Sequence, residues 1–306
     1  MNASGNPCGD WLGRLANLRT ARTAARGMAP HKPLMMLVVL ELVESGEVSD
    51  GWVRYDVRLV SRFRDYWELV RERQGNQPDM AMPFHALGGD RVWERFTEGG
   101  EPSLAKATTR LCRLDPGLFR CLQDEGFRRR VRETLVSLYF TAREQVMLSA
   151  RLNLPVPESD AVALLREDAV EFKARQRAGR DSRFKSEVLV GYYFTCALTG
   201  YRLDTETTSL VQAAHIHQHA LSGNDDPGNG LALTPDAHWM FDEGLWTAVP
   251  RGDDFVVRVA SERFREFSPY GRRLREHDGR LLHFHEHARL RPLAEHFAWH
   301  RRHHGI

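Results

Sequence analysis

Four side chains in the second half of the chain combine types and spacing that suit phosphodiester chemistry. His215 closes an apolar stretch, and Asn229 follows a polar loop. His238 and Asp242 are separated by one turn of a predicted helix. Because side chains at positions i and i+4 share a helix face, this imidazole and this carboxylate are expected to point the same way.

The chemistry available to these groups is hydrolysis assisted by a metal ion. An imidazole and a carboxylate on one face supply two ligands for a divalent cation and leave positions for water and a phosphate oxygen. A histidine at the end of a facing strand can accept a proton from the attacking water. The Asn229 amide can bridge loop backbone and hold two strands apart. Together these groups would hydrolyse a phosphodiester bond.

The elements that must position these side chains follow from the sequence pattern. A strand ends at His215, a loop rich in Gly, Asn, Asp and Pro covers 217–229, and a second short strand covers 230–233. Thr234 and Pro235 then suit the N-cap and the first position of a helix. The predicted order is therefore strand, loop, strand, helix.

The segment AAHIHQHALSGNDDPGNGLALTPDAHWMFDEG resembles the HNH nuclease family, whose strand–loop–strand–helix unit is the ββα-metal finger. The resemblance implies that His215 is the general base and that Asn229 orients the loop. It implies that His238 is a metal ligand and that Asp242 is a further ligand. The cofactor it implies is a divalent metal, Mg²⁺ or Mn²⁺.

Two departures from the family pattern concern metal binding. Many members carry an acidic residue or a histidine just before the base, where this chain has Ala214. The cation would then rely on His238, Asp242, water and phosphate, or recruit another side chain such as His217 or His219. Many members also carry paired cysteines, whereas this chain has Cys196 without a partner, so we expect no structural zinc.

The first half of the chain resembles a different domain. The segments APHKPLMMLVVLELVESGEV and MPFHALGGDRVW resemble the sulfur-binding domain of restriction endonucleases that recognise phosphorothioate-modified DNA. An apolar wall favours sulfur, which is poorly hydrated, and basic side chains neutralise the phosphate. Met82 stands where the family often has an aromatic residue, and MPFHAL is expected to be a short extended piece. The candidates for contact with modified DNA are Arg26, His31, Lys32, Pro83 and Arg110.

These features predict an α+β protein with two domains. A mainly helical DNA-recognition domain is expected over 1–150, and an HNH nuclease domain with the ββα-metal fold over 183–306. The intervening segment 151–182, which begins with the proline-containing NLPVPESD, is expected to be a linker helix. The apolar run PLMMLVVL near the start of the first domain predicts a buried central helix.

The composition is that of a soluble globular protein. Of the 306 residues, 42% are hydrophobic and 27% are charged, and the formal net charge is +2. No apolar stretch is long enough to span a bilayer, so we expect no membrane partner. The N-terminus lacks the pattern of a signal peptide. The four cysteines lie far apart, which favours reduced thiols and a cytoplasmic location.

The sequence thus predicts a cytoplasmic restriction-type endonuclease whose partner is modified double-stranded DNA, acting singly or as a homodimer. Two alternatives remain open. One is an antiphage defence effector whose first domain senses a signal other than DNA and releases cutting. The other is a catalytically degenerate DNA-binding protein, since Ala214 replaces an acidic neighbour.

Overall fold

The computed structural model of the chain describes residues 7–23, 27–74, 79–205, 208–269 and 273–306. The chain divides into two compact units, Met1–Ser182 and Arg183–Ile306. Both units combine helices with short antiparallel strands, which confirms the predicted α+β class. None of the helices in the described ranges has the length and apolar content that crossing a bilayer requires.

The first unit is mainly helical. Its helices are α1 (Pro7–Ala16), α2 (His31–Glu44), α3 (Val57–Gln74), α4 (Ala81–Ala86), α5 (Pro116–Leu122), α6 (Glu125–Tyr139), α7 (Ala142–Leu152), α8 (Asp160–Glu167) and α9 (Ala169–Gly191), the last of which contains the boundary between the units. Its strands are β1 (Arg22–Thr23), β2 (Gly27–Met28), β3 (Trp52–Arg54), β4 (Trp93–Phe96) and β5 (Leu111–Leu114). Strands β3, β5 and β4 form an antiparallel sheet in that order, and β1 pairs with β2.

Helix α2 forms the centre of the first unit. The side chains from Leu34 to Leu40 are completely buried, and α3, α4 and α6 pack against the helix. A helix that is apolar on every face must be surrounded by other elements. The structure therefore confirms the buried central helix that the run PLMMLVVL predicts.

The segment MPFHAL, which was expected to be extended, lies in helix α4 and the turn that follows it. The Asp79 carboxylate accepts a hydrogen bond from the backbone N–H of Met82 at the start of this helix. Phe84 is fully buried between Tyr55 and Trp93, with ring centroids 5.3 Å from each. The expectation was wrong because periodicity alone does not distinguish a short apolar run in a strand from one in a helix.

The cysteines also differ from the prediction. Cys8 and Cys121 form a disulfide, whereas Cys112 and Cys196 are free and buried. The pairing arises because α1 packs against α5 and α6, which brings together two cysteines 113 residues apart. The expectation that all four thiols stay reduced is wrong for this pair, since the sequence does not show which distant helices become neighbours.

A buried ionic cluster fastens α7 to α9 inside the first unit. The Arg151 guanidinium is almost completely buried and donates hydrogen bonds to the backbone carbonyl and the hydroxyl of Ser182, at 2.6 and 2.8 Å. It also lies 3.4 Å from the Glu41 carboxylate and 4.1 Å above the Tyr66 ring. Residues 151–182, expected to link two domains, thus belong to the first unit.

The second unit is built on two β-hairpins and helices. Its strands are β6 (Gln212–His215), β7 (Gly230–Leu233), β8 (Trp246–Arg251) and β9 (Asp254–Val259), and its further helices are α10 (His219–Ser222), α11 (Pro235–Asp242) and α12 (Ala294–His304). Strand β6 pairs antiparallel with β7, and β8 pairs with β9. The buried His300 ring fastens α12, because its two nitrogens lie 3.1 Å from the Thr247 hydroxyl and the Phe241 carbonyl.

The register of the β6–β7 hairpin depends on Gly230, which pairs with His215. A Cβ atom at this position would clash with the Val188 side chain and lie 3.1 Å from the Phe184 ring. Glycine therefore allows β7 to approach the helical segment that carries those two side chains. Because His215 is the partner of Gly230, this close approach also sets the position of the histidine.

Candidate functional site

His215 is the last residue of β6, and its side chain is 23% exposed. Its ring stacks on Phe184 with a centroid distance of 3.7 Å and an angle of 5° between the ring planes. Its Nε2 atom lies 3.5 Å from Oδ1 of Asp225, a buried carboxylate in the loop between β6 and β7. The ring therefore has an aromatic side chain stacked on one face and a carboxylate oxygen near one edge, slightly beyond the usual hydrogen-bond length.

The environment of His215 favours the neutral imidazole. Burial lowers the pKa of His215, and the nearby His219 lowers it further, while Asp225 opposes the change. Burial acts in this direction because the charged form loses its hydration. A neutral histidine has a free nitrogen lone pair, which a general base requires.

Asn229 is completely buried and ties the loop to the start of β7. Its Oδ1 atom accepts a hydrogen bond from the backbone N–H of His217 at 2.8 Å. Its Nδ2 atom donates to the carbonyls of His217 and Asn224 at 2.9 and 3.1 Å. The amide thus bridges loop backbone on both sides, which fixes the chain directly after His215.

His238 and Asp242 lie on one face of α11, as their spacing predicts. His238 Nε2 is 3.4 Å from Asp242 Oδ2, and His238 Nδ1 is 3.1 Å from Oε1 of Gln212 on β6. Burial raises the pKa of Asp242, and the His238 imidazole opposes this shift. Gln212 connects the helix to the same strand that ends in His215.

The donor atoms of His238 and Asp242 fit a divalent cation. Two ligands at about 2.1 Å from an octahedral cation and at right angles to each other are about 3 Å apart. The observed 3.4 Å between Nε2 and Oδ2 is close to this separation. One imidazole nitrogen and one carboxylate oxygen leave most of the coordination sphere for water and phosphate oxygens.

The other ligand candidates have different surroundings. Ala214 is completely buried opposite Leu231, so the position before His215 faces the core and offers no ligand. The His217 ring stacks on Trp299 at 4.0 Å, and His219 Nε2 lies 3.1 Å from Asp225 Oδ1.

Three neighbours of the site are residues that the spacing argument does not identify, namely Phe184, Gln212 and Asp225. Asp225 lies in the run Asn-Asp-Asp-Pro, which is typical of a turn. Gln212 opens a strand, where a polar residue is ordinary. The only sequence signal for Asp225 is that it is an acidic residue between two candidate site residues.

The candidates in the first unit have internal partners. Lys32 Nζ lies 2.5 Å from the buried carboxylate of Asp90 and also donates to the Arg19 carbonyl. Burial alone would raise the pKa of Asp90, but hydrogen bonds from Lys32 and Arg19 bring it below its usual value. The positive charge of Lys32 is therefore largely compensated within the unit, which the sequence did not predict. The His31 ring packs against Trp67 at 4.8 Å.

The remaining first-unit candidates lie on or near α4. Pro83 is buried in α4 itself, and Arg110 donates to the Thr109 carbonyl, with its guanidinium 5.7 Å from the Tyr55 ring. His85 of α4 contacts the segment just before β5, because its Nδ1 lies 2.7 Å from the Thr109 hydroxyl. The predicted residue Arg26 lies outside the described residues.

A family model matches part of the second unit. Residues 196–248 match the family model described as HNH endonuclease. This segment is an HNH endonuclease domain. The match contains His215, Asn229, His238 and Asp242.

Other comparisons add little to the HNH match. No curated protein is significantly similar to the chain. Among solved structures, the chain is similar to one described as "Modification dependent TagI restriction endonuclease", with 21% identity and a TM-score of 0.29. The similarity covers 40% of this chain and 37% of that protein.

Proposed function

We propose that this chain is a metal-dependent endonuclease of the restriction type that cuts modified double-stranded DNA. The observation that carries the catalytic part is the arrangement around the β6–β7 hairpin. A shielded imidazole, His215, ends one strand, and the helix after the second strand places donor atoms of His238 and Asp242 3.4 Å apart. This combination suits activation of water beside a bound cation.

Each side chain has a distinct role in this proposal. His215 accepts the proton of the attacking water, and the low pKa of its ring keeps it unprotonated near neutral pH. Asn229 holds the loop, and with it the backbone after His215, in one conformation. His238 and Asp242 hold Mg²⁺ or Mn²⁺. Such a cation, when bound, neutralises charge on the scissile phosphate and on the departing oxygen.

The first unit is proposed to recognise the modification, with a phosphorothioate as the first candidate. The support is the sequence resemblance around His31, Lys32 and Pro83, together with the partly exposed side chain of Met82 beside Pro83. Methionine offers a soft, polarisable surface that suits sulfur. Arg110 would contribute positive charge. The charge of Lys32 would contribute less, because Asp90 already pairs with it.

The catalytic assignment is tested with supercoiled plasmid and the full-length protein. The wild type should nick plasmid with Mg²⁺ or Mn²⁺ and stop when the cation is chelated. His215→Ala and His238→Ala should each lose about 10²-fold or more of this activity, since a general base contributes about 10²–10⁴-fold. Trp299→Phe, which keeps an aromatic ring against His217, is a control that should retain cutting. Cutting by both histidine variants at the wild-type rate would refute the assignment.

Recognition is tested separately with the inactive His215→Ala protein, so that the DNA stays intact. Duplexes with and without a single phosphorothioate of defined stereochemistry are compared in a gel shift at fixed salt concentration. Tighter binding to the modified duplex supports the proposal. Equal binding to both duplexes, or binding to neither, would favour a first unit that senses another modification or a signal other than DNA.

A cytoplasmic location is part of the proposal because intracellular DNA is the substrate. Cysteine usage does not support it, since Cys8 and Cys121 are paired. A homodimer would place two nuclease sites on opposite strands. Light scattering with and without duplex DNA tests this part, and a monomer in both conditions would imply two successive nicks.

A further inference from the structure

Asp225 is a buried carboxylate next to the proposed general base. It is 8% exposed and lies in the loop between β6 and β7. Its Oδ1 atom is 3.5 Å from Nε2 of His215 and 3.1 Å from Nε2 of His219. One carboxylate oxygen therefore faces the same ring atom of two histidines.

We propose that Asp225 is a positioning residue that holds His215 in the tautomer with hydrogen on Nε2, so that Nδ1 is the atom that accepts the proton. This inference rests on the proposed function, in which His215 activates the water. Asp225 does not touch the substrate in this account and acts through the ring of His215.

The tautomer follows from the donor and acceptor inventory of the two groups. A neutral imidazole has one N–H donor and one lone-pair acceptor, and which nitrogen carries the hydrogen depends on its partners. An ionised carboxylate can only accept hydrogen bonds. The His215 nitrogen that faces Asp225 is Nε2, so the hydrogen is favoured there and the lone pair is left on Nδ1.

Two further contacts limit how the His215 ring can turn. The Phe184 ring stacks on it almost in parallel, at 3.7 Å, which fixes the plane of the imidazole. The position of the backbone at His215 is set by its pairing with Gly230 and by the Asn229 bridge to the next residues. These contacts do not determine which ring nitrogen carries the hydrogen. In this proposal, Asp225 determines it.

His219 has a supporting part in this arrangement. Its Nε2 lies closer to Asp225 than that of His215 does, so it helps to keep the carboxylate in place. A carboxylate has about four lone-pair sites and can accept from both rings. Because Asp225 is buried, its interactions with the two rings are less screened than they would be in water.

The test compares Asp225→Asn with wild type and with Asp226→Asn in the full-length protein. Asn keeps the size of the side chain but offers both donors and acceptors, so it removes the charge and the acceptor-only character. Asp226 is the exposed neighbour, and its side chain accepts from the Gly228 N–H, which an Asn side chain can also satisfy. The control therefore makes the same chemical change one residue away.

Two readouts are measured. The first is the tautomer of His215, read from the nitrogen chemical shifts of protein labelled with ¹⁵N-histidine, with His215→Ala identifying the signal. Wild type and Asp226→Asn should show hydrogen on Nε2, and Asp225→Asn should show a mixture or hydrogen on Nδ1. The second is plasmid nicking with Mn²⁺, in which Asp225→Asn should lower kcat by about 10- to 100-fold, a part of what a general base contributes, with KM unchanged.

The outcomes separate this inference from the proposed function. If His215→Ala is inactive but Asp225→Asn keeps the wild-type tautomer, Asp225 does not position the base, whatever its effect on activity or stability. Hydrogen on Nδ1 in the wild type would overturn the inference directly. If His215→Ala cuts plasmid normally, the proposed function itself fails. The tautomer measurement can be read whether or not the protein cuts DNA.

Discussion

Loss of the Asn229 side chain should destabilise the loop between β6 and β7. Asn229→Ala removes three side-chain hydrogen bonds, two of them to both backbone groups of His217. Each such bond contributes about 0.5–1.5 kcal/mol net, so the loop should lose about 1.5–4.5 kcal/mol of local stability. Since about 1.4 kcal/mol corresponds to a factor of ten, this predicts a loss of about 10- to 1,600-fold in hydrogen-exchange protection at His217.

The change Asn229→Asp makes this prediction more specific. Aspartate keeps the oxygen that accepts from the His217 N–H, but it places a second oxygen 2.9 and 3.1 Å from two backbone carbonyls. A buried carboxylate whose second oxygen faces only carbonyl oxygens is more costly than a missing side chain, so Asp should open the loop at least as much as Ala.

The assay is hydrogen exchange followed by mass spectrometry on peptides from the loop 217–229. The matched control is Asn224→Asp, because the Asn224 side chain accepts a hydrogen bond from the N–H of Asp226. Aspartate can make that bond too, so protection should stay near wild type. Unchanged protection in Asn229→Ala and Asn229→Asp would refute the role assigned to the bridge.

Three further predictions concern stability and pH. Arg151→Met should lower the stability of the first unit by about 1–3 kcal/mol because it removes the buried donors to the Ser182 carbonyl and hydroxyl, while Arg62 still lies beside Glu41; a thermal melt that matches wild type would contradict this. Gly230→Ala should unfold or loosen the second unit, since the added methyl group clashes with Val188; wild-type protection of β6 and β7 in hydrogen exchange would argue against it. The nicking rate should fall at acidic pH with a midpoint below pH 6.5, the ordinary pKa of histidine. The reason is that burial and His219 lower the pKa of His215, and the base works only when unprotonated. A midpoint above pH 6.5 would contradict the assignment.

Much of the site follows from local rules in the sequence. The one-turn spacing of His238 and Asp242 places them on one helix face, and the strand that ends at His215 can be identified from its pattern. The family match over 196–248 covers the same residues. Helix α2 could also be predicted, because its apolar run is long and flanked by polar residues.

The remainder depends on contacts between distant parts of the chain. Phe184 meets His215 only through tertiary packing, and Asp225 resembles an ordinary turn residue until the loop is folded. The pairing of Cys8 with Cys121 likewise needs the packing of α1 on α5. The contact of Lys32 with the buried carboxylate of Asp90 also depends on residues far apart in the chain.

In the proposed mechanism, His238 and Asp242 hold one divalent cation while His215 stays free to act as a base. Pulsed electron paramagnetic resonance of the Mn²⁺-loaded protein, labelled with ¹⁵N-histidine, measures directly which imidazole is coordinated. One coordinated histidine nitrogen is expected in the wild type, with its loss in His238→Ala and its retention in His215→Ala. If the hyperfine coupling between ¹⁵N and Mn²⁺ is lost in His215→Ala, or survives in His238→Ala, the assignment of the metal ligand is contradicted.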